Sequence, residues 1–329
     1  MQVLLSSVAH GRFAASLDRP GVEWLVMDSD GSVRPDGGAR VDRAEADPEV
    51  AWGTSDLFAR GAPLRPFLGL VRRAPGLRWY QSPTAGYDFP VFAEMARRGT
   101  RITNAHVNGI PIAEFVLRSV LDELQGAATW RAQQDARTWE LHDWREVAGT
   151  TWLVIGLGGI GSEVALRARA CGARVIGCRR HPDGSEAVDH VVTPAELAGV
   201  IAEADVVVLA APANPSTERL VDAAFVARLR PGSVLVNVAR GSLVDEPALL
   251  AGLDRGQPAV AVLDVFAVEP LPPDHPFWSH PSVRVTPHNA AGGTGRYGRQ
   301  AALFSANLDR YLAGAPLLND VTAAVLDGR

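Results

Sequence analysis

From residue 151 onward, short and nearly unbroken apolar runs recur at 152–155, 174–178, 206–210, 234–238, 260–263 and 283–285, separated by helical or irregular segments. A strand with both faces buried reads as apolar throughout, so this rhythm predicts a parallel sheet covered on both sides, the doubly wound α/β architecture. The first hundred residues carry a looser version of the pattern: strands at 2–8 and 22–28, helical spacing at 66–73, a strand at 77–82 and a turn-rich stretch at 83–88. They predict a smaller α/β unit. Residues 104–124 then present a wide apolar helical face (Ile110, Ala113, Phe115, Val116, Leu117, Val120, Leu121), suited to packing on another domain or subunit, behind a hinge at 104–111. Beyond the glycine-rich 289–298, the amphipathic stretch 299–312 is expected to pack back onto the first lobe. One domain is then discontinuous, 1–103 with 290–329, around an inserted 104–289.

A chain of 329 residues suits such a pair of domains. Its 32 basic residues are all arginine, which removes Schiff-base lysine catalysis, chain-bound pyridoxal phosphate and the Walker A loop. A net charge of −5 without a dense basic run argues against nucleic acid and anionic membranes as partners. Cys171 and Cys178 fit neither a CxxC pair nor a thiolate zinc site and are expected to be reduced and buried; no metal is expected. The first ten residues lack the features of a secretory signal, and no apolar stretch reaches membrane-helix length, so a cytoplasmic protein is expected.

Gly156-Leu157-Gly158-Gly159-Ile160-Gly161 directly follows the run 152–155 and opens a helical segment. In that setting the glycines let the backbone approach a pyrophosphate while the helix N-terminus offers N–H donors, as in dinucleotide-binding units. The second strand of such a unit normally ends in an acid that binds the ribose of NAD. Here it runs into Arg179 and Arg180, whose planar donor forks suit a 2′-phosphate. NADP(H) is therefore the preferred cofactor, with NAD(H) possible. Ala211 and Pro212, after the run 206–210, are further expected cofactor contacts.

Three polar residues follow later strands: Arg240 in Asn237-Val238-Ala239-Arg240-Gly241, Glu269 before Pro270, and His288 in Thr286-Pro287-His288. Ligands of open α/β sheets bind at the carboxyl ends of the strands. There the guanidinium can grip a carboxylate and the neighbouring carbonyl oxygen, the imidazole can donate a proton, and the glutamate can orient the imidazole and favour its charged form. This chemistry suits hydride transfer between a nicotinamide and a small 2-oxo or 2-hydroxy acid.

With these motifs, and with Leu263-Asp264-Val265-Phe266 and His275-Pro276-Phe277-Trp278, the chain resembles the D-isomer-specific 2-hydroxyacid dehydrogenases over nearly its whole length. The resemblance implies a Rossmann domain inserted into a flavodoxin-like substrate domain, a homodimer, and the catalytic roles argued for Arg240, Glu269 and His288. It further implies that Asp264 holds the nicotinamide carboxamide, that the loop Ala85-Gly86-Tyr87-Asp88 meets the substrate carboxylate, and that Ile112-Ala113-Glu114 opens a helix near the dimer contact. Trp52, Trp139 and Arg296 are read either as pocket-lining or as packing and surface residues. Arginine at 179 is similar to the NADP-using glyoxylate and hydroxypyruvate reductases of the family. The end at Arg329 disfavours a regulatory domain of the phosphoglycerate dehydrogenase kind, Glu269 disfavours formate dehydrogenation, and the absence of lysine excludes adenosylhomocysteinase. The expected function is reduction of 2-oxo acids (glyoxylate, hydroxypyruvate or a bulkier acid) to D-2-hydroxy acids. A nicotinamide-sensing, corepressor-like interaction protein is the alternative.

Overall fold

The computed structural model describes residues 1–84, 86 and 90–321. In chain order its main elements are β1 (Gln2–Ser6), α1 (Ser7–Leu17), β2 (Glu23–Met27), β3 (Val33–Pro35), β4 (Val50–Trp52), α2 (Leu64–Arg73), β5 (Trp79–Gln81), α3 (Pro90–Arg97), β6 (Arg101–Thr103), α4 (Gly109–Leu124) and α5 (Ala127–Ala136). There follow β7 (Thr151–Ile155), α6 (Gly159–Ala170), β8 (Arg174–Cys178), β9 (His190–Val192), β10 (Val206–Leu209), α7 (Ala223–Val226), β11 (Val234–Asn237), α8 (Glu246–Leu253), β12 (Val260–Leu263), β13 (Val283–Val285), α9 (Arg296–Leu312) and β14 (Asp320–Val321). The chain divides into Met1–Val107 with Thr294–Arg329, and Asn108–Gly293, where the sequence pattern places the divisions at 104 and 290.

In the first unit the sheet order is β14-β6-β5-β4-β1-β2-β3. Strands β2, β1, β4, β5 and β6 are mutually parallel, with β3 and β14 antiparallel at the edges. That central order, 2-1-3-4-5 by sequence, is the flavodoxin-like one. The first strand stops at Ser6 rather than running to Val8, because the Ser6 hydroxyl accepts the Ala9 N–H at 3.0 Å and caps α1. Helix α9 belongs to this unit. Its Phe304 ring stacks on Trp52 and Trp79, at 4.6 and 5.2 Å between centroids, and Asn307 donates to Gln81 Oε1. Trp52 is therefore a core residue.

The second unit orders its strands β13-β12-β11-β10-β7-β8-β9, all parallel. This is the Rossmann order 3-2-1-4-5-6 with a seventh strand added. Successive residues feed opposite cores: Leu153 and Ile155 pack on one face, Trp152 and Val154 on the other. The switch point, where the strand order reverses, lies between β7 and β10. Helix α4 presses on α6 so closely that a Cβ at Gly109 would lie 2.4 Å from the Gly159 carbonyl oxygen. Cys178 is buried, whereas Cys171, following α6, is exposed and corrects the expectation of two buried thiols. Among the described residues no helix is long and apolar enough to cross a membrane, and no cluster of His, Cys, Asp or Glu is placed to hold a metal ion.

Candidate active site

The glycines after β7 have separate duties. Gly156 has φ +99°, and a Cβ there would meet the Ala211 backbone at 2.6 Å. At Gly161 a Cβ would lie 1.9 Å from the Gly156 carbonyl oxygen, so both positions close the turn against its own chain. Gly158 differs: a Cβ there meets nothing within 4 Å, and no side chain caps α6, which begins at the next residue. Open space above a glycine, beside an uncapped helix N-terminus, fits a pyrophosphate. Leu157 folds back on β8, where a Cβ at Gly177 would meet its Cδ1 at 2.4 Å; Ile160 packs against the core on the α4 side of the sheet. Pro212 follows Ala211 in the β10 loop, its carbonyl accepting from Thr217 Oγ1 at 2.8 Å.

The two arginines at the end of β8 part company. Arg179 Nη1 pairs with Glu186 Oε1 at 2.9 Å and with Asp183 Oδ2 at 3.1 Å. Arg180 Nη2 instead donates to Ser216 Oγ at 3.2 Å, in the loop after β10.

Register brings the strand-end residues to one edge. Asn237 of β11 and Val285 of β13 both pair with Leu263 of β12, so the loops carrying Arg240, Glu269 and His288 leave the sheet side by side. Buried Asn237 shapes the first: its Oδ1 accepts the Ala239 N–H at 3.0 Å and its Nδ2 donates to the Arg240 carbonyl at 3.0 Å. Arg240 Nη1 donates to the Ala239 carbonyl. Gly241 lies against the second loop, where a Cβ would fall 1.8 Å from Phe266 C and 2.3 Å from Ala267 N. His288 Nδ1 meets Glu269 Oε2 at 2.8 Å, and Glu269 Oε1 accepts the Phe266 N–H at 3.0 Å. An ionised carboxylate only accepts, so Nδ1 carries the proton and Nε2 is left for chemistry.

His288 adopts a left-handed backbone, φ 52°, a conformation uncommon for a non-glycine residue. Asp264 sustains it. The Asp264 carbonyl accepts the His288 N–H at 2.8 Å, while its buried carboxylate accepts from Thr286 Oγ1, Asn289 N and Ala290 N at 2.6, 2.8 and 2.9 Å. All three contacts serve the loop that presents the imidazole.

The family model described as D-isomer specific 2-hydroxyacid dehydrogenase, NAD binding domain, matches residues 117–290. The chain belongs to that family. A relative named glyoxylate/hydroxypyruvate reductase A, from Serratia proteamaculans, is 34% identical over 178 residues. The match covers 54% of this chain and spans 57% of that relative's length. A D-isomer specific 2-hydroxyacid dehydrogenase family protein from Aeromonas salmonicida superposes with TM-score 0.82 at 30% identity, over 98% of both chains. The NADPH-dependent glyoxylate/hydroxypyruvate reductase of Sinorhizobium meliloti, solved with NADP and sulfate, gives TM-score 0.78 at 25% identity, over 99% of both chains.

Against the 2-hydroxyacid dehydrogenase pattern, Gly86 lies in the first unit, its carbonyl accepting from Thr84 Oγ1 at 2.8 Å; the expected contacts Ala85 and Tyr87 fall outside the described residues. Trp139 is 95% exposed, and Arg296 sits over the Tyr297 ring. Sequence reading passed over Asn237 as a brace, although it stands inside the Arg240 motif. It also passed over Glu246 of α8, which accepts the Ala267 N–H at 3.0 Å and lies 3.4 Å from His275 Nε2. Successive amides of the Glu269 loop are thus held by two glutamates, one from a helix some 20 residues upstream. No motif spacing announces that contact.

Proposed function

We propose that this member of the family reduces 2-oxo acids to D-2-hydroxy acids, of the glyoxylate or hydroxypyruvate type, with NADP(H) preferred and NAD(H) accepted. The observation that carries the reading is the Glu269–His288 pair, with His288 locked in a left-handed backbone beside the Arg240 turn. A nicotinamide dinucleotide, its pyrophosphate over Gly158, would supply the hydride to the carbonyl carbon. Arg240 holds the substrate carboxylate by a charge-assisted fork and draws electron density toward the carbonyl oxygen. His288 delivers a proton from Nε2 to that oxygen, and Glu269, bonded at Nδ1, steadies the imidazolium beforehand and the correct tautomer afterwards. In oxidation the same Nε2 takes the proton back. Asp264 is proposed as a nicotinamide carboxamide contact through whatever capacity its loop bonds leave. Arg180 at the end of β8 and the NADP complex of the Sinorhizobium neighbour support the cofactor preference.

A homodimer is proposed on the second unit. The segment following α5 carries Trp139 and Leu141, each 95% exposed. Along α4 runs a groove of about 410 Å³ where Phe115, Phe277 and Trp278 stand beside the charged Arg118, Asp122 and Arg131, a mixed surface that a second copy would cover.

Initial rates of NADPH and NADH oxidation with glyoxylate, hydroxypyruvate, pyruvate and phenylpyruvate test the activity. Arg240→Ala and His288→Ala are expected to lower turnover by about 10²-fold or more with the fold intact. Folded variants that keep full turnover would remove these residues from the reaction. Tight cofactor binding without turnover of any acid would favour the sensor alternative.

A further inference from the structure

We propose that Arg180, hydrogen-bonded to Ser216, is the residue that discriminates a 2′-phosphate from a free 2′-hydroxyl, and that Asp183 and Glu186 withhold Arg179 from that task. The proposal rests on the dinucleotide reading given above and divides a role that the sequence assigns to both arginines together.

Charge is the first argument. The Arg179 guanidinium faces two carboxylates within 3.1 Å. Hydrogen bonds from Ser185 keep the Asp183 carboxyl below its usual range, and backbone N–H bonds, that of Asp183 foremost, do the same for Glu186. Both acids are therefore ionised at neutral pH, and the trio of Arg179, Asp183 and Glu186 sums to one negative charge. A phosphate monoester, itself carrying about −1.5 to −2, meets net repulsion there. Glu186 also accepts the N–H groups of Asp183 and Gly184 at 3.0 and 2.9 Å, so the carboxylates belong to the turn and cannot swing away without unmaking it. Arg179 is a strut of the 179–186 loop.

Position is the second argument. Arg180 has no carboxylate partner within ion-pair distance among the described residues; its bond is to a neutral hydroxyl. Ser216 is fixed in turn, its N–H and Oγ–H both directed to Asn214 Oδ1 at 2.9 and 2.6 Å, which leaves an Oγ lone pair for Arg180. Strands β8 and β10 flank β7, so the Arg180–Ser216 bridge joins the loops on either side of the strand that feeds the glycine turn. The ribose of a dinucleotide lies at the end of β8 in this fold. A guanidinium already held at that place, with its charge uncompensated, is the donor a 2′-phosphate would engage.

Isothermal titration calorimetry of the full chain with 2′,5′-ADP and with 5′-ADP separates the roles without relying on turnover. The wild type should prefer 2′,5′-ADP. Arg180→Gln should lower 2′,5′-ADP affinity about 10-fold or more and leave 5′-ADP within about two-fold. Arg179→Gln should lower thermal stability and move both ligands alike. Asp183→Asn keeps an acceptor for Ser185 and removes one negative charge; it should raise 2′,5′-ADP affinity a few-fold and leave 5′-ADP as it is. A selective loss of 2′,5′-ADP binding in Arg179→Gln with none in Arg180→Gln overturns the proposal. A wild type that binds both ligands equally overturns it together with the NADP(H) preference, while a wild type that binds neither overturns the dinucleotide reading itself.

Discussion

Gly241→Ala isolates the geometric argument for the active site, because the added methyl group meets backbone rather than a side chain that could turn aside. A Cβ at this position would lie 1.8 Å from Phe266 C, 2.1 Å from Phe266 O and 2.3 Å from Ala267 N. Real contacts begin near 3 Å, so the Arg240–Gly241 turn and the Glu269 loop must separate by at least about 1 Å, a misplacement that can cost about 10²-fold in rate. Gly241 does not have a positive φ, so the cost is steric and not conformational. Overpacking of this kind typically costs about 1–3 kcal/mol, and each kcal/mol lowers the Tm of a domain this size by about 2–4 °C. The assay is steady-state NADPH oxidation with the best 2-oxo acid, alongside calorimetric binding of 2′,5′-ADP and a thermal melt. Turnover should fall about 100-fold and the melting temperature by several degrees, while nucleotide binding at the distant glycine turn stays near wild type. Turnover within about threefold of wild type at unchanged stability would refute the claim that this contact sets Arg240 against the Glu269–His288 pair.

Gly158→Ala is the converse case: its Cβ meets nothing within 4 Å, so the melt should be unchanged while nucleotide affinity drops about 10-fold or more, and unaltered binding would show that no ligand uses that space. Glu246→Ala, which frees the Ala267 N–H, should lower turnover without affecting nucleotide binding; unaltered turnover would remove Glu246 from the support of the Glu269 loop. A thiol reagent near pH 8 should titrate one cysteine in the native protein and two after denaturation, because Cys171 is exposed while burial, assisted by Glu196, pushes the Cys178 thiol up to about 11. Because burial raises the folded value above that of a free thiol, the stability linked to Cys178 is present below about pH 9 and lost as the pH rises toward 11, so Cys178→Ala should flatten the alkaline fall in Tm. Trp139→Asp combined with Leu141→Asp should shift the sedimenting species from dimer to monomer, and an unchanged sedimentation coefficient would place the second copy elsewhere.

The apolar runs were enough to read the inserted doubly wound sheet, since a strand buried on both faces cannot conceal its pattern, and β8, β12 and β13 begin and end where those runs do. The glycine turn was legible for a similar reason: at Gly156 and Gly161 close backbone approach admits no other residue, so the chemistry is written in residue type. Arg240, Glu269 and His288 were legible as ionisable groups placed just beyond predicted strands. Local hydrogen bonds moved several boundaries, as when Ser6 ended β1 to cap α1. Contacts between distant segments were not legible at all. Tertiary structure alone decided that Glu246 reaches the Glu269 loop, that Asp264 turns its carboxylate to the loop bearing His288, and that Arg179 is occupied by acids four and seven residues further on while its neighbour crosses to Ser216. Residue type and spacing determine which groups are available and on which element they ride. Which partner each long polar side chain chooses depends on competition among groups that meet only when the loops are folded, and one sequence carries no period or motif for that competition.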